Sequence, residues 1–147
     1  MRLTRFTDYS LRVLIYLGLR DDERVTILEI SKAFKISRNH LMKVVSNLTR
    51  MGYVAAQRGP GGGLSLARPP GEINLAAVVS DMEESLDLVE CFSPQGQCVI
   101  TPACQLRKVL QQALQAYMQI LQAYTLQDLL KPAPALGKLL GIRHKVA

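Results

Sequence analysis

Four glycines fall within five positions, Gly59 and Gly61 to Gly63 around Pro60, and they separate Tyr53-Val54-Ala55-Ala56-Gln57 from Leu64-Ser65-Leu66-Ala67. No helix passes through such a run, because glycine costs about 1 kcal/mol relative to alanine in a helix interior and proline about 3. Two short apolar runs joined by it read as a β-hairpin with Arg58 beside a flexible tip. The segment before the hairpin narrows the fold further. Ser37 is placed to cap a helix over 38–51 that stops at Gly52. Leu41, Val44, Val45 and Leu48 recur at the spacing of one helical face, and His40, Lys43, Asn47 and Arg50 form a second stripe without an acidic residue.

Two more helices are predicted upstream. Thr7 is the expected cap of the first, with Asp8 in its first turn, Phe6 stapled onto Leu11, and a largely buried run from Leu11 to Leu19. Arg20 to Arg24 is a charged turn. Thr26 is the expected cap of the second, with Ile27, Leu28, Ile30 and Ala33 inward. Three short helices followed by a hairpin is the order of a winged helix-turn-helix. The predicted fold is therefore mainly α with a small β-hairpin wing, followed by a long C-terminal helix.

Charge supports a polyanion partner. Residues 1–70 hold twelve Lys and Arg against five Asp and Glu, whereas residues 71–147 hold six against seven. A basic half joined to a near-neutral half suggests one module for nucleic acid and one for another task. In a helix-turn-helix the second helix enters the major groove of double-stranded DNA, with its N-terminal residues at base edges. Here these are Ser37, Arg38, Asn39, His40 and Lys43. Arg and Lys match guanine and Asn matches adenine. On the wing, Arg58 suits a narrow minor groove, where the potential is most negative, and Gly59 lets the backbone approach phosphate.

Beyond Arg68-Pro69-Pro70-Gly71, Asn74 is the expected cap of a helix with Leu75, Val78, Val79 and Met82 on one face. A longer helix is expected to start at Thr101-Pro102, with Thr as cap and Pro at the first helical position. Its seam is Leu106, Leu110, Ala113, Tyr117, Ile120 and Tyr124, alternating by four and three. Thr125 to Leu130 is a further short helix, and Lys131-Pro132-Ala133-Pro134 reads as a linker.

Between these helices lie Cys91, Cys98 and Cys104, the chain's three cysteines. An odd number argues against a closed disulfide framework. Paired C-x2-4-C zinc ligands are absent. Three thiolates five to seven residues apart on a loop broken by Pro94 and Gly96 suit a larger body, such as an iron–sulfur cluster. Cys104, read as the third residue of the long helix, gains from the preference of helix N-termini for anions. A cluster wants four ligands. A carboxylate or an exogenous molecule has to complete the set, with Asp87 and Glu90 beside the loop, because His40 and His144 lie elsewhere. Three free thiols or a disulfide switch is the competing reading.

With these residues in place, the chain resembles the winged-helix regulators that include IscR, and within them the nitric-oxide-sensitive repressors. The resemblance covers about residues 1–130. It rests on Met1-Arg2-Leu3-Thr4, Phe6-Thr7-Asp8-Tyr9, Ile36-Ser37-Arg38-Asn39-His40-Leu41-Met42-Lys43, the wing Arg58 to Gly63, and Ile100-Thr101-Pro102-Ala103-Cys104. IscR-like members have a His three residues after the last Cys, and Arg107 stands there in this chain. The resemblance implies a homodimer with the long helix as dimerisation helix. It also implies Asp8 from the other subunit as fourth ligand, where the residue alone reads as a helix-start carboxylate. It implies a cluster, 4Fe-4S in preference to 2Fe-2S, whose nitrosylation by nitric oxide releases the operator. The expected organisation is a winged helix-turn-helix domain over 1–85, a cluster loop over 86–101, the dimerisation region over 102–130 and a C-terminal tail over 131–147.

Two other readings compete. One is an iron- or cluster-status sensor similar to RirA or IscR. The other is an iron–sulfur electron carrier, which has no use for Ser37 to Lys43 and Arg58. No nucleophile–base pair or paired catalytic carboxylates suggest an enzyme. The N-terminus lacks the long apolar core of a signal peptide and no apolar run reaches membrane-span length, so a cytoplasmic protein without a membrane partner is expected.

Overall fold

The structure, a computed structural model, describes residues 2–142. Seven α-helices and one hairpin follow in order: α1 Arg5–Leu19, α2 Ile27–Phe34, α3 Arg38–Arg50, β1 Val54–Gln57, β2 Gly63–Leu66, α4 Leu75–Met82, α5 Gln105–Gln122, α6 Leu126–Leu129 and α7 Ala133–Leu139. The cap of α1 is Thr4, not Thr7. Its Oγ accepts the Thr7 N–H at 3.2 Å, while its own N–H and Oγ–H donate to Glu83 at 2.8 and 3.1 Å. That contact spans 79 positions, so local pattern could not choose between the two threonines. Thr7 and Ser10 are fully buried one and two turns in, and Ser10 donates to the Phe6 carbonyl at 2.7 Å.

Thr26 and Glu29 close a reciprocal capping box at the start of α2. Ile30 is buried and Ile27 and Ala33 pack against the core, but Leu28 is 43% exposed. On an eight-residue helix one stripe faces inward, and Leu28 falls beside it. Lys35, in the left-handed region at φ 55°, makes the turn into α3. Ser31 braces that turn by donating to the Ile36 carbonyl at 2.6 Å. Ser37 caps α3 as expected, and Leu41, Val44, Val45 and Leu48 are all buried.

The hairpin pairs Val54 with Leu66 through to Gln57 with Gly63. Val25 exchanges two backbone hydrogen bonds with Leu64, at 2.9 and 2.7 Å, which pins the wing to the turn before α2. A side chain at Gly62 would put its Cβ 2.2 Å from the Gln57 carbonyl oxygen, so the tip closes only over glycine. The core gathers Leu14, Leu17, Ile30, Leu41, Leu48, Ile73, Val78 and Leu126 from α1 to α4 and α6. With no tryptophan to dominate it, each of these aliphatics contributes roughly 1.5–3 kcal/mol by leaving water.

Asn74 caps α4 by accepting from Ala76 and Ala77, and its amide donates to the Gln122 carbonyl at 2.8 Å. The end of α5 is thereby tied to the start of α4. Helix α5 starts later than the sequence suggested. Thr101–Ala103 is a separate 3-10 turn, and Cys104 is the N-cap rather than the third helical residue. The helix ends at Gln122, so Tyr124 lies beyond it. The expected seam also divides: Leu110 and Tyr117 are half-buried, whereas Leu106, Ala113 and Ile120 are exposed. The first two line a cavity with Leu3, Leu86, Leu88 and Val89, beyond the end of α4. Residues 131–134, read as a linker, lead instead into α7, where Pro134 takes an early position that needs no N–H. Ile142 is buried in the core behind it, and His144 lies outside the described residues.

Candidate nucleic-acid interface and cysteine site

Ser37 spends its side chain on capping, accepting the His40 N–H at 3.2 Å, which turns the first residues of α3 outward together. Ser37, Arg38, Asn39, His40 and Lys43 are all exposed, as are Arg58 and Gly59 on the wing. Met42, not singled out from sequence, is 55% exposed among them. Asn47 departs from the expected outward stripe. It is half-buried, donating to the Met82 sulfur at 3.4 Å and accepting from Arg50. The exposed basic stripe of α3 is thus interrupted at Asn47, which makes an intramolecular contact, while Arg50 beyond it is exposed again.

Two clusters fix this surface. At the wing base, Tyr53 is buried and donates its hydroxyl to Asp81 at 2.5 Å. Arg68 lies over its ring at 4.4 Å and donates to the Gly52 and Met51 carbonyls at 3.0 and 3.2 Å, capping the C-terminal end of α3. Burial, and next the hydrogen bond to Asp81, push the Tyr53 hydroxyl up to about 12. Beside the start of α3, Asp8 takes a bidentate pair from Arg12, at 3.1 and 2.8 Å. Arg12 lies 5.6 Å from the Tyr9 ring centroid and 5.9 Å from that of Phe34, and the Tyr9 ring meets His40 edge-on at 5.5 Å. The four-residue spacing of Asp8 and Arg12 was a signal available in the sequence.

All three cysteines are free thiols, Cys98 exposed and Cys91 and Cys104 half-buried. Cys91 sits in the 3-10 turn Glu90–Phe92. Cys104 accepts the Arg107 N–H at 3.4 Å, and the Arg107 Nε donates to the Cys91 carbonyl at 3.2 Å. Glu90 is not a free carboxylate, since it accepts the Gln97 N–H at 2.8 Å. Among the described residues, no three His, Cys, Asp or Glu side chains are gathered closely enough to hold a metal ion. No helix among them is long and apolar enough to cross a membrane.

A family model described as Rrf2, an iron-dependent transcriptional regulator, matches residues 3–132. This chain belongs to the Rrf2 family. It is 49% identical over 146 residues to the HTH-type transcriptional regulator NsrR of Geobacillus kaustophilus, covering 98% of this chain and 99% of that one. The NsrR of Bacillus subtilis is 46% identical, covering 98% and 100%. Among solved structures, IscR of T. potens superposes with a TM-score of 0.74 at 22% identity, covering 90% of this chain and 88% of that one. CymR of B. subtilis, described as its global cysteine regulator, gives 0.72 at 24%, covering 88% and 95%. At these identities the two structures show the fold alone. The winged-helix architecture is that of Rrf2 regulators, and the chain is a transcription regulator rather than an enzyme.

In an Rrf2 chain the donor chemistry on the α4–α5 segment suits an iron–sulfur group. Three unpaired thiols are present, and the one at the start of α5 accepts a backbone N–H. Arg12, Tyr53, Arg68 and Arg107 were missed as contributors to the surface and the site. Arg12 could have been found from its four-residue spacing to Asp8, whereas Tyr53, Arg68 and Arg107 act through contacts spanning many positions, which residue type alone does not announce.

Proposed function

We propose that this Rrf2 protein is a dimeric repressor that binds operator DNA and releases it in response to nitric oxide, through an iron–sulfur cluster held by Cys91, Cys98, Cys104 and the partner subunit's Asp8. One observation carries the reading: three free thiols lie between α4 and α5 of a chain nearly half identical, end to end, to a named NsrR. When bound, the cluster supplies iron to which nitric oxide can bind, and an oxygen ligand leaves that iron the most open.

The chain's own residues account for the coupling to DNA. Ser37, Arg38, Asn39, His40 and Lys43 face the major groove, and Arg58 and Gly59 contact the flanking backbone and minor groove. Asp8 has a competing partner in Arg12, so a carboxylate engaged across the interface gives up the bidentate pair. Arg12 then keeps only its positions over Tyr9 and Phe34, and Tyr9 touches His40 of the reading helix. The cysteine segment also begins where α4 ends. There, successive residues Asp81, Met82 and Glu83 hold the wing base, α3 and the cap of α1. A shift of that segment reaches both parts of the DNA-binding surface, α3 and the wing, and the start of α1 behind them.

Support for a dimer comes from α5. Leu106, Val109, Ala113, Ala116, Ile120 and Ala123 alternate by three and four and are all exposed, an unpaired heptad seam. It is one step round from the seam expected from sequence. The test is anaerobic native mass spectrometry with operator gel shifts during nitric oxide titration. Dimers carrying four irons per chain, with DNA released as nitric oxide is added, support the reading. Iron-free protein that holds DNA regardless of nitric oxide overturns it, and release by an iron chelator alone identifies an iron-status sensor. The family description keeps that second reading open, and Arg107 at the IscR-like histidine position weighs against its IscR form.

A further inference from the structure

Arg107 joins two of the three cysteines through one residue. Its backbone N–H reaches the Cys104 sulfur at 3.4 Å, and its side-chain Nε reaches the Cys91 carbonyl at 3.2 Å, sixteen positions away in sequence. Its neighbours Gln105, Leu106, Lys108 and Val109 are exposed, while Arg107 is half-buried despite its charge. The carbonyls of a single 3-10 turn have few partners within the turn, so the Cys91 carbonyl gains its donor from α5. The Cys98 arm is held differently. Glu90 accepts the Gln97 N–H, and Gly96 packs so closely that a Cβ would lie 2.4 Å from the Glu90 carbonyl oxygen. Thr101 then closes a turn onto the Cys98 carbonyl at 2.8 Å.

We propose that Arg107 is a positioning residue that fixes Cys91 against the Cys104 end of α5 before any iron arrives, leaving Cys98 as the arm that closes on the cluster. The assignment rests on the cluster reading above for its purpose, but the contact itself is made between the chain's own atoms. A planar guanidinium bonded through Nε holds direction as well as distance, which a lysine ammonium does not. Arg107→Lys therefore fails to replace it.

The test uses reduced, iron-free protein and dibromobimane, a reagent that fluoresces strongly once it bridges two thiols. In a Cys98→Ser background it reports the Cys91–Cys104 pair, and in Cys104→Ser the Cys91–Cys98 pair. Arg107→Ala and Arg107→Lys are each expected to slow bridging of the first pair about tenfold, the effect of losing one charge-assisted hydrogen bond. The second pair should change less than about twofold, since separate contacts hold it. An unchanged first pair, or an equal loss in both, overturns the assignment, the latter by showing a general collapse of the loop. Reconstitution with ferrous iron and sulfide is scored separately. If the unsubstituted protein takes up no iron, the cluster reading falls, while the bridging rates still decide the role of Arg107.

Discussion

At the scale of single residues, exposure and pairing separate reading from holding. Arg58 stands exposed on the wing with no structural role evident among the described residues. Arg58→Ala should leave the fold intact, weaken operator binding, and lower the salt slope of log K by about one, the signature of one lost phosphate neighbour. A gel-shift titration with unchanged affinity and slope removes it from the interface. Tyr53 is the opposite case. Its folded hydroxyl is raised from 10 to about 12, so the folded state keeps a proton that the unfolded state gives up. Stability from this group is fully present below about pH 10 and is lost as pH climbs toward about 12. Urea midpoints should be level from pH 7 to about 9 and then fall, and Tyr53→Phe should flatten that alkaline fall. A slope unchanged by the substitution would place its origin in another group.

At the scale of elements, α5 and the cysteine segment carry the sharpest expectations. The exposed seam centres on Ala113 and Ala116, small residues that let two helices approach closely between the bulkier Leu106 and Ile120 ends. Ala116→Glu and Ala113→Glu should both yield monomers in sedimentation and lose operator binding, because a buried unpaired charge costs several kcal/mol. A fully dimeric Ala116→Glu protein would assign the interface to another face. In the cysteine segment, Gly96→Ala forces its new Cβ against the Glu90 carbonyl and so opens the Glu90–Gln97 contact. Iron retained after anaerobic reconstitution should fall severalfold, with the thermal midpoint of the iron-free protein moved by only about 1–3 °C, since the loop lies outside the main core. Full retention would show that the arm adapts without its clasp.

At the scale of the whole molecule, Asp8 is the place to test how the cysteine segment and the DNA-binding surface are coupled. Asp8→Ala removes the carboxylate proposed for the partner's cluster and also frees Arg12 from its pair. The three thiolates remain, and water or a buffer thiol fills the vacant position. The cluster should therefore assemble with an altered absorption spectrum and lower stability, while operator affinity and the nitric oxide dose for release both shift. The lost surface ion pair alone is worth only about 0.3–0.5 kcal/mol, too little to explain a large change in DNA binding. If spectrum, affinity and dose all match the unsubstituted protein, Asp8 is no more than a first-turn carboxylate of α1.

How much was legible depended on the range of the interactions involved. Ser37, Thr26 and Asn74 cap their helices as read, the α3 stripe is buried as read, and the hairpin closes on its glycines as read. Each rests on contacts within a few positions, so the sequence by itself determined the order of three helices and a wing, the basic face and the three clustered thiols. Tertiary structure decided the rest. Thr4 displaced Thr7 because Glu83 reaches it from the end of α4. Asn47 turned inward to Met82, and Leu110 and Tyr117 turned toward the segment that follows α4, which rotated the free seam of α5 by one step. Ile142 drew the last described residues into the core behind a helix where prolines suggested a linker. In each instance two local choices lay within about 1 kcal/mol of one another, and a partner far along the chain supplied the difference.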